Sequence, residues 1–274
     1  MSRQSSFYYS FLSLPAPRRE AIIAVWDFCH AVDDAVDEAP GGDDGGRAAL
    51  DRWRAELDRC FAGRGPETPE GRALQPLIAR FHLPRAAFEE VLDGVGMDIE
   101  PRRFATFAEL EPYCLRVASA VGLIAIEIFG YRNPQSREYA RHLGIALQLT
   151  NIVRDLRADH GHGRVYLPME DLERFDCRES DLGRSSPTPA VRALVRFECE
   201  RAEQYYCLAT RMLPPEDRRT LVAAEIMRAI YHDLLCEIRR RDGDVFAQRV
   251  RVSRPRQAWL AARTWLATRR EGAR

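Results

Sequence analysis

Apolar side chains return every three or four residues through six long stretches of this chain: 21–36, 88–99, 107–129, 139–156, 191–212 and 221–238. That spacing lines one face of an α-helix and does not suit a pleated strand. Turn-forming clusters separate the stretches: Pro40-Gly41-Gly42, 63–71, Pro84, Asn133-Pro134, 161–168, 185–189 and Pro214-Pro215. Short extended pieces at 164–167 and 250–252 are too few to build a sheet. The pattern predicts an all-α fold in a single domain over 1–274, with about eight to ten helices.

One stretch differs from the rest. Residues 117–129 are apolar on nearly every face, so the helix is expected to be buried. Ala118, Ser119, Ala120, Gly122 and Ala125 make it narrow. Small residues leave room for close helix packing or for a long apolar ligand. Ser119 and Glu127 interrupt the run, which reads as too short to span a bilayer.

Composition narrows the function. The 41 basic and 41 acidic residues cancel, so no global field favours nucleic acid or an anionic membrane. All 41 basic residues are arginine, and the chain contains no lysine. Schiff-base chemistry and a P-loop lysine are therefore excluded, and cationic phosphate contacts fall to Arg or His. Seven cysteines without a Cys-x-x-Cys pair read as small core residues in a reducing compartment. Residues 1–11 lack the pattern of a signal peptide, which points to the cytoplasm.

Two acidic constellations carry chemistry. Asp33, Asp34 and Asp37 share one helix face about 5–6 Å across, at the end where the helix dipole disfavours anions. Repulsion and dipole both cost stability there, and a hard cation would offset both. The competing view is a solvated helix end running into a loop over 40–46. Asn151, Asp155 and Asp159 form a polar stripe about 12 Å long, extended by Gln148. Leu147, Leu149, Ile152, Val153 and Leu156 surround that stripe, so it is expected to point inward. A salt-bridge ladder with Arg154 and Arg157 is the alternative. Two facing stripes would form a cage for two or three Mg²⁺ ions and a diphosphate, with Asp33, Asp37, Asn151, Asp155 and Asp159 as ligands.

At these residues the chain resembles the squalene/phytoene synthase family, from Ser5 to about Trp265. Asp33, Asp34 and Asp37 match its first aspartate motif. Asn151, Asp155 and Asp159 match its second, with Gln148 and Arg154 in register. Its Tyr-Cys-x-x-Val-Ala-x-x-Val-Gly stretch stands here as 113–122, its Gly-Arg-x-Tyr-Leu-Pro segment as 163–168, and its upstream Asp as Asp98. The resemblance implies an isoprenoid-synthase-type helical bundle around a central apolar cavity. It implies that Ser6, Arg154, Tyr231 and Arg249 bind or position diphosphate. Phe7, Tyr113, Val117, Ala118, Val121, Gly122, Leu147 and Gln148 would follow the prenyl channel, with Asp98 and Tyr166 beside them. Stretches 5–11 and 244–256 look most like the presqualene-diphosphate-forming branch of bacterial hopanoid synthesis.

That branch implies Mg²⁺-dependent condensation of two farnesyl diphosphates, with a separate protein performing the reduction. No dinucleotide fingerprint is present, so NADPH is not expected. Phytoene, dehydrosqualene and hydroxysqualene formation are the alternatives within the family, and an inactive helical scaffold is the alternative outside it. Two positions depart from the family pattern: His30 stands where Arg is usual, and Trp26 where Tyr is usual. His30 could still donate to phosphate, with a charge that depends on pH. The C-terminal stretch 255–274 sets Trp259, Leu260, Trp265 and Leu266 among arginines. It reads either as a membrane-surface helix or as a last core helix with a basic end. At most peripheral contact with the inner membrane surface is expected.

Overall fold

The computed structural model describes residues 8–40 and 42–271. Among these the chain forms thirteen α-helices and no strand. In order they are α1 (Tyr8–Phe11), α2 (Ala16–Asp37), α3 (Gly42–Phe61), α4 (Pro69–Phe81), α5 (Arg85–Gly96), α6 (Phe107–Cys114), α7 (Ala120–Phe129), α8 (Ser136–Gly161), α9 (Met169–Arg174), α10 (Glu179–Leu182), α11 (Pro189–Met212), α12 (Val222–Arg240) and α13 (Arg254–Glu271). All six periodic stretches fall on helices. The expected number of eight to ten is too low because α1, α9 and α10 are too short to show a period.

Two longer helices, α3 and α4, run through sequence that looks like punctuation. The loop expected at 40–46 is cut short, because α3 begins at Gly42. A Cβ at Gly45 would lie 2.1 Å from the Pro40 carbonyl oxygen, so this glycine permits the sharp entry into α3. Asp43 and Asp44 then sit in the first turn, where the helix dipole favours anions. Helix α4 starts on Pro69, with the Thr68 hydroxyl accepting from the Gly71 N–H at 2.9 Å. Buried Glu56 of α3 accepts from Thr68 N–H at 2.7 Å and Glu67 N–H at 3.1 Å. Burial pushes the Glu56 carboxyl up, but these backbone and hydroxyl donors outweigh it and hold it at about 2.

Helix α8 is the central post. It packs along α11, α7 and α12, while α2, α3 and α5 close the other side. Most buried apolar residues of these helices form one contiguous cluster, while Val222, Ile226 and Ile230 of α12 belong to a smaller one with Leu260 of α13. Glycines set the spacing: a Cβ at Gly144 of α8 would lie 2.5 Å from the Ser119 Cα. At Gly122 it would lie 3.2 Å from the Ala140 carbonyl oxygen. Of the small residues in 117–129, Ser119 and Gly122 thus serve close packing.

Helices α6 and α7 are joined without a break by a π turn, Leu115–Ser119, in which the Ala120 N–H reaches the Leu115 carbonyl. The rod from Phe107 to Phe129 is consequently 23 residues long, and by length and composition alone it could cross a membrane. This corrects the view that the apolar run is too short. In the fold, half of its apolar window is buried, against α5 and α8.

Five cysteines are buried or half-buried, as expected of core residues, but Cys207 and Cys236 are exposed. All seven are free thiols.

Candidate active site

The C-terminal end of α2 and the C-terminal half of α8 supply the two acidic groups. The two helix ends border two cavities that share a wall, reached by Asp33 and Asp37 of the first group and Asn151 of the second, while Asp155 and Asp159 line neither. The larger, of about 510 Å³, runs along Val117, Ala118, Val121 and Gly122 of the rod and Leu147 and Gln148 of α8. Asn151, Arg154, Tyr231, Arg249, His30 and Asp33 stand on its border. The smaller, of about 310 Å³, is bordered by Asp33, Asp37, Asp98, Tyr113 and Tyr166. Trp26, His30, Asp33, Val117, Val121 and Gln148 face both. The predicted residues Ser6 and Phe7 lie outside the described residues.

The two acidic stripes are wired differently. Asp33 keeps an open path to solvent, yet partial burial in the cleft, then repulsion by Asp37 and Asp98, pushes its carboxyl up to about 6. Asp34 points outward and pairs with His30, Nδ1 to Oδ1, at 3.6 Å. Asp37 accepts from Arg164 at 2.6 Å. On α8, burial and then the charge of Asp155 push Asp159 up to about 7. Asp155 goes the other way. Burial would raise it, but Arg154 and Arg249 hold it below the usual carboxylate range. Arg249 donates to both of its oxygens, at 2.8 and 2.9 Å, and Arg154 donates from Nε at 2.9 Å. Arg154 is also hydrogen-bonded to the Tyr231 hydroxyl.

The salt-bridge ladder that is the alternative for this stripe is thus half present. Arg154 pairs with Asp155, but Arg157 donates to the Phe246 carbonyl at 2.6 Å instead. Arg249, brought in from far along the chain, takes the second place.

Asp98 ties the smaller cavity together. It accepts from the Tyr113 and Tyr166 hydroxyls, both at 2.8 Å, and the two rings stack 5.1 Å apart at 22°. Burial nevertheless outweighs both donors and leaves Asp98 raised.

Oxygen donors in this pattern suit a hard divalent cation. A further observation points the same way: the Asn151 Oδ1 is buried and has no hydrogen-bond partner, while its amide contacts Gln148 Oε1 at only 3.5 Å. A cation bound here would offset the burial and repulsion that raise Asp33 and Asp159 and would give the Asn151 oxygen a partner.

Some bordering residues escape sequence reasoning. Val91 and Val95 of α5 and Cys29 of α2 look like ordinary core positions. Arg164 sits inside the 163–168 motif, next but one to Tyr166, and its place in that motif was the available signal.

Known proteins resemble this chain in sequence and in fold. The sequence profile of the squalene/phytoene synthase family matches residues 2–256. A presqualene diphosphate synthase of Zymomonas mobilis is 38% identical over 237 residues, covering 85% of this chain and 80% of that protein. A phytoene synthase of Arthrospira platensis is 36% identical over 263 residues, covering 90% and 84%. A crystal structure of a dehydrosqualene synthase in complex with a ligand superposes with a TM-score of 0.85 at 29% identity, covering 98% of this chain and 93% of that one. The chain belongs to the squalene/phytoene synthase family, prenyltransferases that condense two prenyl diphosphates head to head.

Proposed function

We propose that the chain, acting as one domain over 1–274, condenses two farnesyl diphosphates to presqualene diphosphate with release of diphosphate. The observation that carries this is the pair of cavities meeting at Asp33: two prenyl chains need two berths with their reacting ends at a common polar border. The rod from Val117 to Phe129 gives the larger berth a wall about 18 Å long, by the helical rise. The likeness to presqualene diphosphate synthases supports the C15 substrate and this product.

Asp33, Asp37, Asn151, Asp155 and Asp159 would hold Mg²⁺, which supplies charge neutralisation of the departing diphosphate. The chain's own residues do the rest. Arg154, Arg164 and Arg249 present planar forks to phosphate oxygens, and Tyr231 orients Arg154. His30 stands at the shared border as a further phosphate donor. Tyr113, Tyr166 and Trp26 wall the reacting ends with ring faces, which suit an adjacent cation. Val117, Ala118, Val121, Gly122 and Leu147 exclude water from the chain. Reduction to squalene would then fall to a separate protein.

Incubation with farnesyl diphosphate and Mg²⁺, with and without NADPH, followed by mass spectrometry, tests this. Presqualene diphosphate under both conditions is expected. Conversion of most product to squalene by NADPH would make the chain a complete squalene synthase. The likeness to a dehydrosqualene synthase favours one second reading, in which dehydrosqualene is the C30 product. A preference for the C20 diphosphate would place the chain with the phytoene-forming relatives.

A further inference from the structure

Among the described residues, the large apolar side chains that stand in solvent are Leu12 at 49%, Trp259 at 48% and Leu266 at 48% exposure. They lie on one side of the molecule. Trp259 and Leu266 are on α13, and Leu12 immediately follows α1, which packs against both α12 and α13. Helix α13 has two faces of different character. Leu260 is buried and, with half-buried Trp265, packs onto Val222, Ile226 and Ile230 of α12. The opposite face sets Trp259, Arg263, Leu266 and Arg270 at intervals of four, three and four, within about one-sixth of the helix circumference. The reading of this helix as a last core helix thus holds on the Leu260 face.

Charge on this side is one-sided. From 249 to 270 the chain carries seven arginines and no acidic residue, within a sequence whose formal net charge is zero. Arg249 is taken up by Asp155 and Arg256 by Asp233. Arg254, Arg263 and Arg270 have no carboxylate partner among the described residues. The arginines are also arranged around the rings. Arg256 and Arg263 lie over Trp259 at 4.6 and 4.7 Å, and Arg269 over Trp265 at 3.7 Å. Indole rings with guanidinium neighbours are placed at the level of lipid headgroups, where ring and charge are both satisfied.

We infer that the α13 face, with Leu12 at its edge, docks on the surface of an anionic phospholipid bilayer. Charge complementarity selects the occupant. A second copy of the chain would set the unpaired Arg254, Arg263 and Arg270 against arginines of the same face, whereas anionic headgroups meet each of them with opposite charge. The position of α1 adds a consequence. Phe11 faces the larger cavity from inside, and Leu12, the next residue, faces outward. One turn of helix therefore separates the apolar cavity from the docking face, and a long apolar product leaving past α1 would enter lipid directly. The docking face does not depend on which prenyl product the cavity makes.

Co-sedimentation of the full chain with vesicles of phosphatidylglycerol and phosphatidylcholine, against phosphatidylcholine alone, tests this. The wild type is expected to sediment with the anionic vesicles, to stay in solution with neutral ones, and to be released by salt. The double variant Arg263→Glu/Leu266→Glu should bind about tenfold or more weakly. Both positions are exposed and outside the catalytic machinery, so its melting temperature and its turnover of detergent-dispersed substrate should match the wild type. Equal sedimentation of wild type and variant, or no sedimentation of the wild type, overturns the inference. A wild type that ignores vesicles and self-associates through this face, with the variant monomeric, overturns it as well.

Discussion

Arg249 grips both carboxylate oxygens of Asp155, at 2.8 and 2.9 Å, from 94 residues further along the chain. A guanidinium in this position competes with a metal ion for the carboxylate and offers the same fork to a diphosphate. Removing it should have opposite effects on the two ligands. Arg249→Gln is expected to bind Mg²⁺ as tightly as the wild type or a few-fold more tightly, by titration calorimetry. The same variant should lose roughly two orders of magnitude in kcat/KM for the prenyl diphosphate. Parallel weakening of both would show that Arg249 merely holds the site in shape.

Asp33→Asn and Asp155→Asn should each lower Mg²⁺-dependent diphosphate release by roughly two to three orders of magnitude. The two differ in stability. Asp33 has raised its pKa in a repulsive setting, so its neutral replacement should leave the melting temperature unchanged or slightly higher. Asp155 neutralises half-buried Arg154, and its loss should destabilise by about 1–3 kcal/mol. Near-normal turnover in either variant would remove the metal cage.

Cation binding should weaken as pH falls from 8 to 6. Asp159 is pushed up to about 7 and Asp33 to about 6, so protons must leave before a cation enters. The apparent Mg²⁺ affinity should drop about tenfold or more between pH 7.5 and 6. Stability without metal runs in the opposite sense. A folded-state carboxyl pKa above its unfolded value means that the folded protein binds protons more tightly, so these two groups contribute stability as pH falls through 7 and 6 and lose it as pH rises. Asp159→Asn should flatten both profiles between pH 6 and 8. An unchanged affinity profile in that variant would place the titrating group elsewhere.

Gly144→Ala should destabilise by about 1–3 kcal/mol, read as a fall in melting temperature, because its Cβ would press on the Ser119 backbone at 2.5 Å. Gly161→Ala is the control: a Cβ there meets nothing within 4 Å, and its melting temperature should stay near that of the wild type.

Helix faces were legible in the sequence because α2, α8 and α11 each bury one stripe, and a stripe leaves a period. The acidic groups were legible because Asp33 and Asp37, or Asn151 and Asp155, are one helical turn apart. What pairs with them was not. Arg164 meets Asp37 across 127 residues, and Arg249 meets Asp155 across 94, and no local pattern reports such distances. Helix α3 was hidden for the opposite reason. Its glycines are there so that Gly45 can pass the Pro40 carbonyl, but in sequence they resemble a loop.

The π turn at Leu115–Ser119 sets the angular phase between the two halves of one rod. An α-helix advances about 100° per residue, so one surplus residue in a turn rotates everything beyond it by that amount. Tyr113, before the turn, is thereby aimed at Asp98, while Val121, Gly122 and Ala125, beyond it, are aimed along the larger cavity. Deleting a single residue between 115 and 119 would splice the rod into ordinary α-helix and wind the second half back. The carboxylates of α2 and α8 would stay where they are, facing a pocket whose wall had turned away.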